Sequence, residues 1–238
     1  MENFDLSGLN TEGISELSLL VLLADHSYSV GPFIDQIQNG INRVREKVRT
    51  NDNLSSNAQV AVIGYSDDVE IIRNFGDNRE VTELAANGCT AYYKAQLKAC
   101  NLIAKASTIA QRNGIRVKAV IINFTDGGPT DGENEELSKD AIEYLKNKGV
   151  FTMALAVPSS NLNILKRDYK NVVMIDNEKN IEEAITAFSY QSLLTLSKSQ
   201  FGTKTKMFEN TKLEMEAESG VKDINEDDDF YDKFSLVD

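Results

Sequence analysis

The chain has 238 residues, with 25 basic and 37 acidic side chains, and its formal net charge is −12. Nucleic acids and anionic membrane surfaces are bound through basic residues, so this charge argues against both as partners. A single histidine, His26, and two cysteines, Cys89 and Cys100, exclude a zinc site made of several His or of four Cys, and also a disulfide framework.

The amino-terminal residues 1–14 carry no recognisable targeting signal. They lack the basic and apolar regions of a signal peptide, and no apolar stretch of the chain approaches the roughly 18 residues of a membrane span. We therefore expect a cytoplasmic protein in which residues 1–14 form an extension before the first domain.

The first part of the chain alternates apolar strands with an amphipathic helix. Residues 17–24 are a nearly continuous apolar run, typical of a central parallel strand that helices cover on both faces. Pro32 suits the first position of a helix, and apolar residues then recur every three or four positions as far as Thr50. Residues 58–64 and 69–75 are predicted strands, and their connection is too short for a crossover helix, so this pair should be antiparallel.

The middle of the chain continues the alternation of helices and strands. Residues 80–86 are predicted to form one short helical turn, and residues 91–113 a long helix that Gly114 stops. The next apolar run, 117–124, is a predicted buried strand. It is followed by a helix over 134–148 and by a strand over 150–157.

A short strand over 172–175 and a helix over 180–196 complete the pattern, in which we find no internal repeat. The alternation predicts an α/β fold: a doubly wound, mostly parallel central sheet with one short antiparallel edge strand and helices on both faces. The predicted domain covers residues 15–196.

Residues 197–238 differ in composition from the rest of the chain. From residue 198 onward there are 6 Lys against 11 Asp or Glu, and apolar residues are sparse, which predicts a mostly disordered acidic tail. Near its end, Phe230, Tyr231 and Phe234 lie among acidic residues. They form either part of a solvated tail or a short motif that docks on another protein.

Polar side chains lie in three predicted loops at the sheet edge where ligands bind in open α/β folds. Asp25, Ser27 and Ser29 come after the first strand, Thr90 precedes the long helix, and Asp126 follows the fourth strand. All five offer hard oxygen ligands, which suit Mg²⁺ and not Zn²⁺. Uncharged hydroxyls would leave the ion electrophilic, with a position for an acidic group from outside. The competing interpretation of Asp25 is a simple helix cap.

This set resembles the metal-ion-dependent adhesion site of von Willebrand factor type A domains. The resemblance rests on Asp25-x-Ser27-x-Ser29, on Thr90 in a Gly-containing loop and on the Thr-Asp-Gly beginning at residue 125. It covers roughly residues 15–196 and implies a doubly wound fold. It also implies that the five residues bind Mg²⁺, with Mn²⁺ or Ca²⁺ as alternatives, and that the ion accepts an Asp or Glu from a partner protein.

The longer stretch TDGGPTDG, residues 125–132, is similar to the bacterial tellurite-resistance-associated TerY-like subgroup. That resemblance implies a role in stress response beside kinase and phosphatase partners. The sequence departs from the common pattern of such loops at three positions: His26, Tyr28 and Cys89 add bulk beside the predicted metal.

Six residues around the predicted metal are expected to form a partner-binding rim: His26, Tyr28, Cys89, Tyr92, Gly127 and Asp131. Several have simpler interpretations. Tyr28 and Tyr92 could instead cover the edge of the core, Asp131 is favoured as a turn residue over a ligand, and Cys89 is either redox-reactive or a small buried filler. Cys100 is expected in the core.

Three functions compete. The first is the metal-dependent binding module, which is not an enzyme. The second is a phosphatase of the haloacid-dehalogenase type, which also begins with Asp after the first strand, but Ser27 stands where that chemistry needs a second Asp. The third is a scaffold that acts through its acidic tail and holds only a structural metal.

Overall fold

The computed structural model describes residues 4–157, 159–169, 171–175 and 180–198. The strands are β1 (Glu16–Asp25), β2 (Ala58–Tyr65), β3 (Val69–Arg73), β4 (Arg116–Thr125), β5 (Phe151–Ala156) and β6 (Asn171–Met174). The helices are α1 (Ile34–Thr50), α2 (Tyr92–Arg112), α3 (Glu135–Asn147), α4 (Leu162–Asp168) and α5 (Ile181–Lys198). Two 3₁₀ turns, Tyr28–Phe33 and Gly132–Asn134, precede α1 and α3.

The six strands form one sheet in the order β3-β2-β1-β4-β5-β6. All neighbouring strands are parallel except β2 and β3, which confirms the predicted antiparallel edge strand and the doubly wound α/β fold. The strand order reverses between β1 and β4, and this reversal is where open α/β sheets form their ligand sites. Asp25 lies beside Tyr65 of β2, and Ala24 beside Phe124 of β4, so these strands end at the same edge.

Two separate apolar cores cover the two faces of the sheet. Alternate residues of β1 point to opposite faces because side chains alternate along a strand. Leu20 and Leu22 pack in the core that includes α1 and α5, whereas Leu19 and Val21 pack in the core that includes α2, α3 and α4. Burial on both faces explains why this strand is an unbroken apolar run.

Helices α1 and α5 approach closely at Gly40. A Cβ atom placed there would lie 3.0 Å from the Cβ of Ile185 and 3.1 Å from the carbonyl oxygen of Glu182. Such close contact favours a residue without a side chain, since a Cβ atom here would push α5 away by a few tenths of an ångström and packed helices lose contacts when they separate.

We expect Gly40→Ala to lower the free energy of unfolding by about 1 kcal/mol, because the crowding of α5 outweighs the gain in helix propensity. Urea denaturation would measure the difference. The matched control is Asn39→Ala, at the exposed neighbouring position of α1, which has the propensity gain without the crowding. A Gly40→Ala protein as stable as Asn39→Ala would contradict the prediction.

The structure differs from the sequence prediction in three places. Residues 80–86 form no helical turn and instead run as a loop, because the side chains of α1 bind its backbone: the Asn42 side chain exchanges hydrogen bonds with Val81, and Gln38 accepts from Leu84 N at 2.8 Å. Pro32 lies in the 3₁₀ turn before α1 and not at the first position of α1. Helix α4 was not predicted.

Residues 4–14, predicted as an extension, pack on the fold. Leu9 is buried in one core, Phe4 and Leu6 pack against that core, and Gln59 Nε2 donates to the carbonyl oxygen of Asn10 at 2.8 Å. At the other terminus, the predicted acidic tail from residue 199 onward and its Phe230–Phe234 motif lie outside the described residues. No described helix is both long enough and apolar enough to cross a membrane.

Candidate metal site at the carboxyl edge of the sheet

Three loops meet where β1 and β4 end. Loop 1 is residues 25–29, loop 2 is residues 87–91 before α2, and loop 3 is residues 125–131 after β4. These loops contain all five of the predicted metal-site residues: Asp25, Ser27, Ser29, Thr90 and Asp126. The question is whether their backbone and side-chain bonds hold them together.

Asp25 anchors loop 1 inside the protein. Its carboxylate is 0% exposed, and it accepts hydrogen bonds from Ser27 N at 2.9 Å and from the Thr125 hydroxyl at 2.7 Å. The first bond curls the chain so that the Ser27 and Ser29 hydroxyl oxygens lie 3.1 Å apart. The second bond joins loop 1 to loop 3 across 100 residues of sequence.

Loop 2 is attached to loop 1 through the backbone. Asn87 N donates to the carbonyl oxygen of His26 at 2.9 Å, and Tyr28 N donates to that of Gly88 at 3.2 Å. From the other side, the Asp67 carboxylate accepts from Cys89 N at 2.7 Å. These bonds fix the turn that carries Thr90 into α2.

Loop 2 is also attached to loop 3. Thr130 N donates to the Thr90 carbonyl oxygen at 3.0 Å, and Thr90 N donates to the Thr130 hydroxyl at 3.0 Å. Both contacts are made by the Thr90 backbone, and the Thr90 side chain is buried. Each pair of loops is therefore cross-bonded, and the three form a closed arrangement at one edge of the sheet.

Asp126 lies at the start of loop 3, next to Thr125. Its Oδ1 accepts from Gly128 N at 3.1 Å, and its carbonyl oxygen accepts from Asn161 N at the start of α4. Gly127 takes a positive φ of 69°, and a Cβ there would lie 2.9 Å from Leu165 Cγ. Helix α4, which was not predicted, thus packs against this loop.

The donor set fits a hard dication. Burial, with a smaller contribution from the neighbouring Asp126 carboxylate, raises the pKa of Asp25 to about 6, although hydrogen bonds from Ser27 and Thr125 oppose the rise. None of these influences comes from a positively charged group, so no cation among the described residues compensates the ionised carboxylate. Among the residues that the structure describes, no three His, Cys, Asp or Glu side chains cluster closely enough to hold a metal. A cation here would depend on the hydroxyl oxygens of Ser27, Ser29 and Thr90.

The predicted rim is only partly exposed. Tyr28 is 72% exposed and Cys89 is exposed, so both can meet a partner. The other four are buried, and the expectation that they form an exposed rim is wrong: His26, Tyr92, Gly127 and Asp131.

The buried four have structural contacts instead. His26 Nδ1 lies 3.1 Å from the carbonyl oxygen of Ala85, and Tyr92 packs edge-on against Tyr93 in the core. Asp131 accepts from Tyr93 N at 3.1 Å and from Lys94 N at 2.8 Å, so it caps the first turn of α2 from loop 3. Cys100 is in the core as expected, where burial raises the pKa of its thiol to about 12.

Two residues that hold the site were given no role from the sequence. Thr125 is fully buried, and besides its bond to Asp25 its hydroxyl accepts from Gly127 N at 2.9 Å. Its position at the head of the Thr-Asp-Gly stretch was a usable signal. Asp67 has no local signal, because its partner Cys89 lies 22 residues further along the chain.

The sequence profile of the von Willebrand factor type A (VWA) domain matches residues 20–199. The chain belongs to the VWA domain family. Domains of this family are commonly protein-interaction or adhesion modules, and they often bind a divalent metal at the edge of the sheet described above. The match begins within β1 and includes the other five strands and all three site loops.

Several solved structures share this fold. The vWF domain of the type V pili tip protein Mfa5 from Porphyromonas gingivalis aligns with a TM-score of 0.61 at 11% identity, over 82% of this chain and 100% of that domain. The pilus adhesin SpaC from Lactobacillus rhamnosus GG, in its open conformation, aligns with a TM-score of 0.56 at 11% identity, over 77% of this chain and 31% of the adhesin.

The ArnB paralog VWA2 from Sulfolobus acidocaldarius aligns with a TM-score of 0.51 at 17% identity, over 74% of this chain. The present chain spans only 46% of that archaeal protein. At these identities the likeness is one of fold. None of the curated proteins matches the chain.

Proposed function

We propose that this VWA domain is a Mg²⁺-dependent protein-interaction module that binds an Asp or Glu side chain of a partner protein. The observation that supports the proposal is the cross-bonding, at one edge of the sheet, of the three loops that carry Asp25, Ser27, Ser29, Thr90 and Asp126. These residues would hold the ion, with Mn²⁺ or Ca²⁺ as alternatives. The ion would supply positive charge for a partner carboxylate.

The chemistry of the site favours binding over catalysis. A haloacid-dehalogenase-type phosphatase needs an acid two residues after its nucleophilic Asp, and Ser27 stands at that position with no suitable pKa for the role. The nearby His26 is a poor general base because its ring is buried, with Nδ1 against the Ala85 carbonyl oxygen. We therefore propose that the chain is not an enzyme.

Exposed groups beside the loops suit a protein surface as the partner. Tyr28 projects from loop 1 with 72% exposure, and exposed aromatic side chains often anchor protein interfaces. Ser29 and Cys89 are also exposed beside it. A partner would contact this rim while its carboxylate approaches the metal.

The resemblance of residues 125–132 to the TerY-like subgroup supports a narrower proposal. We place the module in a bacterial stress-response system of the tellurite-resistance kind, in the cytoplasm, with kinase or phosphatase partners. Identification of such a partner among captured proteins is the test of this part.

The test of the proposed function begins with Mn²⁺ in place of Mg²⁺, because bound Mn²⁺ reports its exchangeable water through proton relaxation. We expect the protein to bind Mn²⁺, to retain water on the ion, and to lose that water when an acidic partner binds. Partner capture should be abolished by EDTA and by Asp25→Ala. Asp140→Asn, an exposed acid on α3, is the control for loss of one charge.

Two further arms separate the competing outcomes. Replacing the contacting Asp or Glu of the partner with Asn or Gln should abolish capture as completely as EDTA does. Deleting residues 199–238 should leave metal-dependent capture intact. Capture that persists undiminished in EDTA would refute the proposal, and capture that is lost only with the tail would assign the function to the tail.

A further inference from the structure

A polar cavity lies at the opposite end of the sheet from the metal-site loops. It has a volume of about 250 Å³ and is lined by the start of β2, the end of β3, the last turn of α1 and residues 8, 10 and 76–78. Because β3 runs antiparallel to β2, the last residue of β3, Arg73, returns to the end where β2 begins. None of the predicted metal-site residues lines this cavity.

Arg73 is a buried cation without a partner. Its side chain is 2% exposed, and within the described part of the chain its Nε, Nη1 and Nη2 atoms make no hydrogen bond. Burial, together with the nearby Arg45, lowers the pKa of its guanidinium to about 10, so Arg73 still carries its charge at neutral pH. An unpaired buried charge is costly and indicates a missing anion.

The acid at the cavity does not supply that anion. Asp77 also lines the cavity and acts favourably on Arg73, but its carboxylate is engaged by Arg79, with Nη2 at 2.7 Å and Nε at 3.0 Å. The lining residues include three arginines, Arg45, Arg49 and Arg73, against this single acid. Outside the lining, Glu46 pairs with Arg49 and Glu80 pairs with Arg45, so Arg73 is the lining arginine that makes no ion pair within the described residues.

Two further polar atoms beside Arg73 also lack partners. Arg45 uses its Nη atoms on Asn78 and Glu80, which leaves its buried Nε without a bond in the described region. Gln59 donates its Nε2 to Asn10, so its Oε1 is an unbonded acceptor. Several donors together with one acceptor match an anion that carries both charged oxygens and a hydroxyl, as a partly protonated phosphate or a small phosphate ester does.

We propose that this cavity binds phosphate, either as the inorganic ion or as the phosphate group of a small monoester, with Arg73 as its ion-pair partner. Arginine forms bidentate bonds with phosphate oxygens, which suits a buried recognition site. The volume is below that of a drug-sized pocket and admits one phosphate with a short carbon chain. Ser55, Ser56 and Arg49 at the cavity are exposed, so rotamer changes open a path to Arg73.

The test is thermal unfolding in EDTA, so that no metal at the other edge of the sheet binds the phosphate. Inorganic phosphate, glycerol 3-phosphate and acetate are each titrated against chloride at equal ionic strength. We expect the melting temperature to rise by about 4 °C for each tenfold increase of phosphate above its dissociation constant. A glycerol 3-phosphate effect larger than that of phosphate identifies a monoester, whereas a smaller one identifies the inorganic ion.

Arg73→Met should abolish the rise caused by phosphate and should melt no lower than the wild type without phosphate, because it removes an uncompensated charge. Should this variant fail to fold, Arg49→Gln keeps the proposal testable, since its side chain is mostly exposed. We expect Arg49→Gln to weaken phosphate binding by about three- to fivefold in calorimetry. Arg112→Gln, an exposed arginine of α2, should have no effect.

Three results would overturn the proposal. The first is a phosphate effect no larger than that of chloride, the second is an equal effect in the Arg73→Met and wild-type proteins, and the third is an acetate effect as large as that of phosphate. Because all measurements are made without metal, they succeed or fail independently of the proposed interaction function.

Discussion

Asp25→Asn is expected to abolish Mg²⁺ binding while leaving the metal-free protein at least as stable as the wild type. Asn keeps an oxygen to accept from Ser27 N, so the curl of loop 1 survives, but it removes the buried negative charge that would bind the ion. Burial raises the pKa of Asp25 to about 6, so at pH 7 the carboxylate is ionised at a cost to the metal-free fold. Removing this charge should raise the free energy of unfolding of the metal-free protein by about 2 kcal/mol. The gain is smaller than the full cost of burying the charge, because the Thr125 hydroxyl loses its acceptor.

Calorimetry and thermal unfolding would measure both effects. We expect Mg²⁺ affinity to fall by more than about 100-fold. Loss of a residue that only hydrogen-bonds to a metal ligand already lowers metal affinity by about 10- to 100-fold, and loss of the charged ligand itself should have a larger effect. In EDTA the variant should melt at or above the wild-type temperature, and Mg²⁺ should raise only the wild-type value. The control Asp140→Asn should behave as wild type. A variant that Mg²⁺ stabilises as strongly as the wild type would exclude Asp25 from the site.

Asp131→Ala is expected to destabilise the protein by about 2–4 kcal/mol, although Asp131 was expected to be a turn or rim residue. The substitution leaves two backbone donors in the first turn of α2 without partners, those of Tyr93 and Lys94, and Tyr93 is buried. Asp131→Asn keeps one acceptor oxygen and should lose about half as much. Urea denaturation of the two variants would measure this order.

Asp131→Ala should also weaken Mg²⁺ binding. Thr90 lies directly before α2, so its position depends on the attachment of the first turn of α2 to loop 3. Glu133→Ala is the matched control: it removes an acid from the same stretch, where the Glu133 carboxylate lies 3.8 Å from Lys94 Nζ and is exposed. We expect it to change stability by less than about 0.5 kcal/mol. Equal losses for Asp131→Ala and Glu133→Ala would contradict the capping role.

The fold was predictable because its central strands are buried on both faces. The runs that became β1 and β4 are mainly apolar before the site, so their type and their ends were clear. The short link between β2 and β3 was enough to give their antiparallel pairing. The order of the polar residues after these strands then gave the site loops, since parallel strands end at one edge.

The structural features that the sequence did not predict depend mainly on contacts between residues that are distant in sequence. Residues 80–86 are held as a loop by Asn42 and Gln38, side chains that lie about 40 residues earlier and give no local signal. Asp131 has its partners 37 and 38 residues earlier, so its local sequence indicated only a turn. Helix α4 has seven residues, too few for a clear apolar period, and it is marked mainly by the Asn161 cap.

The bond between Asp25 and Thr125 spans 100 residues, and it bears on when the protein can first act. A chain still emerging from the ribosome has β1 and loop 1 outside long before β4 exists. Until β4 pairs with β1, Asp25 has neither its hydroxyl partner nor Asp126 nearby. If the proposed function holds, a nascent chain should therefore bind neither the cation nor a partner, and binding should become possible in a single late step of biosynthesis.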